Sequence, residues 1–204
     1  MREMNLNEFT AALSSGEPVP GGGGASALMG AQAAALCSMV SNLTSGKKKY
    51  AEYQADIERI LGCARALADD MLALIEKDAE AFEPLSKAYS IPKDTEGRDE
   101  ILENALLEAA KAPLEIVLKA RDIAKLIEEL ADKGSRLAIS DVGVAASACE
   151  ACAKGGAMNV YINTKLMKNR EVAEDFNRQT VAAVDEVTAI CAAAYTKVKD
   201  GLSV

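Results

Sequence analysis

The chain has 204 residues, half of them apolar, with 26% charged and a formal net charge of −8. That apolar share supports a large core and excludes a disordered chain, while the acidic balance argues against nucleic acid, which needs a surplus of basic side chains. There is no histidine, which excludes a histidine-based triad and most zinc sites and leaves proton transfer to Asp, Glu, Lys, Tyr or Cys.

In chain order, residues 5–13 predict a short amphipathic helix with Leu6, Phe9 and Leu13 on one face and Asn5 or Asn7 as its cap. Glu3, Glu8 and Glu17 precede any apolar run, unlike a signal peptide. Next comes Pro18-Val19-Pro20-Gly21-Gly22-Gly23-Gly24, feeding a nearly uncharged Ala-rich stretch. Such a loop exposes the amides of a helix start to an anion or polar ligand atom, or else lets two helices cross closely. The apolar run of residues 25–40 is shorter than the ~20 residues of a bilayer span and reads as a core helix. A cytoplasmic protein with no membrane partner is expected.

The buried helix ends near Gly46, before Lys47-Lys48-Lys49-Tyr50. Three lysines form either a solvated turn or a contact to a ligand carboxylate. Residues 48–88 predict one long helix with Tyr53, Ile57, Ile60, Ala64, Leu67, Met71 and Leu74 at bundle spacing. Asp78 occupies the next position of that stripe, and Phe82 and Leu85 continue it. An inward carboxylate is costly unless satisfied or used. Asp78 is therefore an acid/base in a setting that raises its pKa, or a half-exposed carboxylate paired with Lys77 or Lys48.

Residues 96–132 predict a second long helix, kinked at Pro113, with Ile101, Ala105, Ala109, Ile116, Ala120, Ile123, Ile127 and Leu130 inward. Ser140-Asp141 opens a further Ala-rich helix, where either residue serves as an N-cap. That helix is expected to run to Lys154 and break at Gly155-Gly156. Residues 157–167 are another helical piece, or a short strand over residues 159–163. The last long helix spans residues 171–198. Cys149 and Cys152 have CxxC spacing, but no second ligand pair accompanies them, so they read as small buried core residues in a reducing compartment and no metal is expected. The chain reads as one all-α bundle over residues 1–204.

Several segments resemble, in order, the cyclodeaminase/cyclohydrolase family of folate enzymes. They are residues 18–25, residues 41–50, Asp78-Ala79-Glu80-Ala81-Phe82, residues 140–146 and Gly156-Ala157-Met158-Asn159-Val160-Tyr161-Ile162-Asn163. Gln32 departs from the usually apolar helix. The resemblance implies a helical subunit that forms a homodimer, with a tetrahydrofolate derivative as substrate and no permanent cofactor. It implies Asp78 as catalytic aspartate with Asp141 as supporting carboxylate. It places Gly21, Gly22, Gly23, Gly24, Ser26, Asn42, Lys47 and Lys49 along the substrate, with Asn159 and Asn163 as pterin partners. The activity it implies is hydrolysis of methenyltetrahydrofolate to formyltetrahydrofolate, or alternatively ring closure of formimino-tetrahydrofolate with loss of ammonia. No formiminotransferase half is visible. A non-catalytic helical dimerisation protein is the competing reading.

Overall fold

The computed structural model describes residues 1 and 3–202. Its helices are α1 (Leu6–Leu13), α2 (Gly22–Thr44), α3 (Gln54–Tyr89), α4 (Arg98–Lys133), α5 (Ile139–Thr164) and α6 (Arg170–Leu202), with no strand among the described residues. α1 begins with a capping box in which the Asn5 side chain accepts from the amides of Asn7 and Glu8 and Glu8 reaches back to the Asn5 amide. Only Phe9 of its predicted face is buried; Leu6 and Leu13 are exposed. One aromatic ring thus anchors a short helix whose remaining face has nothing to pack on.

α2 starts inside the glycine run, with Gly21 as N-cap and Gly22, Gly23 and Gly24 in the first turn. It is long and apolar enough to cross a bilayer, yet 56% of its most apolar window is buried within the bundle. It packs between α3 and α5, while α5 packs between α2 and α6. α4 lies behind and touches all four. The core is built from the predicted stripe of α3 (Ile57, Ile60, Ala64, Met71, Leu74) and from Ile116, Ile123, Ile127 and Leu130 of α4. Small residues let α2 and α5 approach closely. A methyl on Gly30 would sit 2.7 Å from Met71 Cε and 2.8 Å from Cys152 Sγ.

The structure corrects four details. Residues Lys48–Tyr53 form a 3-10 turn, so the long helix starts later than its apolar pattern suggested. Ile101 is exposed, while the adjacent Leu102 packs against the core in its place. α5 runs unbroken through Gly155-Gly156, and the strand alternative at residues 159–163 is helical. These glycines do not end the helix; they make room. A Cβ on Gly156 would lie 2.9 Å from Val117 Cγ2 of α4. α4 likewise continues across Pro113.

Candidate functional site

Proline has no N–H, so Pro113 leaves the carbonyl of Ala109 without its helical donor. The Asn163 side chain from α5 supplies one, donating through Nδ2 to that carbonyl at 3.1 Å. The same amide group also donates to the Asn159 carbonyl at 3.0 Å, and Asn159 Nδ2 donates to the Gly155 carbonyl at 2.9 Å. Both side chains are thereby held in place with their Oδ1 acceptors left for a ligand.

These residues line a cleft of about 200 Å³ with Pro18, Val19, Gly21, Gly22, Gly23, Asp78, Phe82 and Ile162. Phe82 stands one helical turn after Asp78 and Asn163 one turn after Asn159, so α3 and α5 each present two of the lining residues on one face. The floor is the first turn of α2. A Cβ on Gly23 would collide with both carboxylate oxygens of Asp78, and one on Gly22 would lie 3.2 Å from Asn159 Nδ2. Only glycine allows the backbone to reach these side chains.

Asp78 is half-buried. Burial pushes its carboxyl from an ordinary 3.8 up to about 6, while the Gly24 backbone amide pulls the other way. At neutral pH the group is charged but holds its proton far more readily than a surface aspartate. The cleft thus combines a carboxyl with a raised pKa, a helix start whose Gly24 amide faces it, and two asparagines held by hydrogen bonds.

Of the sequence-derived candidates, Gly21, Gly22, Gly23, Asp78, Asn159 and Asn163 line this one cleft. Gly24 faces Asp78 through its amide. Ser26 is buried and donates to the Gly22 carbonyl at 2.7 Å, holding the first turns of α2 under Gly155. The structure does not bring the rest to the cleft within one chain. α2 and α5 run antiparallel, with Gly22 beside Asn159 and Gly30 beside Cys152. Asn42 stands in the last turn of α2, ~30 Å from Gly22 by helical rise, Lys47 and Lys49 follow that far end, and Asp141 lies ~27 Å from Asn159 along α5. There Lys47 Nζ reaches Ser135 Oγ at 3.3 Å, Lys49 lies over the Tyr50 ring, and the Tyr50 hydroxyl accepts from the Arg136 amide at 2.9 Å.

Phe82, Pro113, Ala109 and Ile162 are cleft residues that the sequence offered only as stripe, kink or motif positions and not as site residues. Cys37, Cys149, Cys152 and Cys191 are buried, and burial pushes the Cys37 and Cys152 thiols up to about 12. No group of three or more His, Cys, Asp or Glu side chains among the described residues is placed to hold a metal.

The sequence profile of the formiminotransferase-cyclodeaminase family matches residues 5–182. Over 198 residues, 95% of each chain, the sequence is 38% identical to methenyltetrahydrofolate cyclohydrolase of Methylorubrum extorquens. It is 30% identical to formimidoyltransferase-cyclodeaminase of Rattus norvegicus, over 89% of this chain but only 34% of the rat protein. The fold superposes on the crystal structure of formiminotetrahydrofolate cyclodeaminase from Thermotoga maritima with a TM-score of 0.83 and 34% identity, covering 98% of this chain and 96% of that one.

Proposed function

Because the chain belongs to the formiminotransferase-cyclodeaminase family, we propose that it hydrolyses 5,10-methenyltetrahydrofolate to 10-formyltetrahydrofolate in the cleft over Gly23. One observation carries this reading: Asp78, with its carboxyl pushed up to about 6, sits against a helix start and beside two fixed asparagines. The substrate's reacting carbon bridges two nitrogens and is cationic, so a carboxylate stabilises it and the charge developing around it. The pterin edge carries N–H donors that match the Oδ1 acceptors of Asn159 and Asn163.

In this mechanism a water molecule adds to the bridging carbon as Asp78 takes one of its protons. Asp78 then returns that proton to the ring nitrogen as the carbon–nitrogen bond breaks. The remaining hydroxyl proton leaves to solvent as the formyl carbonyl forms. A group with a pKa near 6 serves both transfers close to neutrality. In the alternative reaction, cyclodeamination of formimino-tetrahydrofolate, the same carboxylate would protonate departing ammonia; the Thermotoga relative favours that reading and the Methylorubrum relative favours hydrolysis.

The reading includes a homodimer acting in the cytoplasm. The free state of all five cysteines suits a reducing compartment, and apolar side chains lie uncovered along α2 and α5. The test is spectrophotometric. Loss of methenyl absorbance on adding purified protein supports hydrolysis. Gain of that absorbance with ammonia from the formimino substrate supports the alternative. An Asp78→Asn protein that folds and keeps full turnover in either assay overturns the role of Asp78.

A further inference from the structure

Phe82 borders two spaces at once. With Pro18 and Val19 it lines the cleft of about 200 Å³ that holds Asp78, and the same three residues line an adjoining groove of about 400 Å³. They are the wall between the two. Among the described residues the cleft side carries no ionisable side chain besides Asp78; its other walls are glycines of α2, Ala109 and Pro113 of α4, and Asn159, Ile162 and Asn163 of α5. The groove side is charged and open to solvent. Glu80, Glu83 and Lys87 line it, and the last two, both mostly exposed, pair at 2.6 Å.

The sequence builds this wall locally. Phe82 follows Asp78 by four residues on α3, so the two share a face. A helical side chain leans toward the N-terminus of its helix, which tips the ring back over the Asp78 turn. The ring is half-buried and packs against the small core that contains Leu85, Leu106 and Ala109, which holds its direction. Val19 is half-buried, and the buried Pro20 that follows it abuts the first turn of α2, where a Cβ on Gly24 would lie 3.4 Å from Pro20 Cβ. Gly21, Gly22 and Gly23 offer no side chain to cover the carboxylate, and the asparagines bring polar groups. Phe82 is the largest side chain lining the cleft.

We propose that Phe82, closed against Pro18 and Val19, is a positioning residue for the proton transfers: it keeps groove solvent off the Asp78 carboxyl without touching the reacting atoms. Two influences act on that carboxyl, burial first and the Gly24 amide against it, and no charged side chain contributes. Removing the ring joins cleft and groove into one hydrated space. Water stabilises the carboxylate, so its pKa falls. Glu80 and Glu83 push the other way, but their repulsion is screened across water and Lys87 offsets one of them. The net change is downward, and a weaker base moves protons more slowly.

The inference deepens the acid/base reading of Asp78 and rests on it, yet its test does not need turnover. Aspartate carboxyls are labelled with carbon-13, the Asp78 signal is identified by its loss in Asp78→Asn, and its titration is followed by NMR. In Phe82→Ala the midpoint should move from about 6 toward 3.8. Phe82→Leu restores apolar cover and should recover most of that change. In the alanine protein kcat near neutral pH should fall on the order of tenfold, and the midpoint of its kcat/KM profile should follow the NMR midpoint. Val19→Ser opens the same wall from a loop, serves if the alanine protein does not fold, and should also lower the midpoint. A midpoint that stays at about 6 in whichever of these two variants folds, even with a lower Tm, makes Phe82 a packing residue and overturns the proposal. A wild-type protein that turns over neither folate substrate refutes the folate reading instead, and the titrations still decide the role of Phe82.

Discussion

Gly23 and Asp78 touch so closely that no side chain fits between the α2 backbone and the carboxylate. The contact joins the first turn of one helix to the middle of another, and it fixes where the Asp78 carboxylate stands. Gly23→Ala forces the carboxylate away from the cleft or the first turn of α2 away from α3. Activity should fall by roughly 10²–10⁴, as for loss of the group itself, with a stability cost of about 1–3 kcal/mol from overpacking. Steady-state assay and thermal unfolding of the variant check both. An alanine protein with wild-type turnover would show that Asp78 does not need this position.

The raised pKa of Asp78 predicts an unusual pH profile for stability. The native state holds the proton up to about pH 6, whereas the unfolded chain releases it near 3.8. Between those values the native state binds more protons, so stability falls as pH rises from about 4 through 6 and then levels off. The two-unit difference corresponds to at most about 3 kcal/mol lost at neutral pH. Asp78→Asn should therefore be more stable than wild type at pH 7.5, with the gain vanishing near pH 4. Urea unfolding at the two pH values measures it. In the wild-type enzyme kcat/KM should rise across an apparent pKa of about 6, because the first proton transfer needs the carboxylate.

The all-helical fold was legible because α3, α4 and α6 carry their apolar residues at steps of three and four, a period no strand shares. Asp78 was legible for the same reason, as a carboxylate where the stripe demanded an apolar side chain. Gly155-Gly156 misled because sequence does not distinguish a glycine that ends a helix from one that admits Val117. The role of Pro113 was hidden as well. Its orphaned carbonyl finds a donor in Asn163, a residue fifty positions away that the pattern of α4 alone does not reveal. The separation of Lys47 and Asp141 from the cleft follows from the antiparallel register of α2 and α5, which is set by tertiary contacts of Gly22, Ser26 and Gly30.

The thiols provide a test of the core. Four of the five cysteines are buried and Cys63 alone is exposed. A buried thiol with a raised pKa forms little thiolate and is inert to disulfide reagents. Native protein should therefore release one equivalent of chromophore with Ellman's reagent near pH 8, and five in guanidinium. Cys63→Ser should abolish the native signal and leave activity unchanged. Two or more rapidly reacting thiols in the native state would mean that the α2, α5 and α6 seam opens in solution.

Asn163 is predicted to serve the fold and the cleft at once. Its Nδ2 group answers the carbonyl that Pro113 leaves unpaired, and Ala109, which carries that carbonyl, is buried. Asn163→Ala leaves a buried acceptor without a donor, a cost of about 1–3 kcal/mol, and Tm should drop by several degrees. It also removes the acceptor proposed for the pterin, so KM should rise while the protonation behaviour of Asp78 stays as it was. The double variant Asn163→Ala/Pro113→Ala separates the two effects. Alanine at position 113 restores a helical N–H for the Ala109 carbonyl and should recover much of the lost stability, whereas KM should remain high. Recovery of KM together with Tm would show that Asn163 acts on substrate only through the packing of α4 against α5.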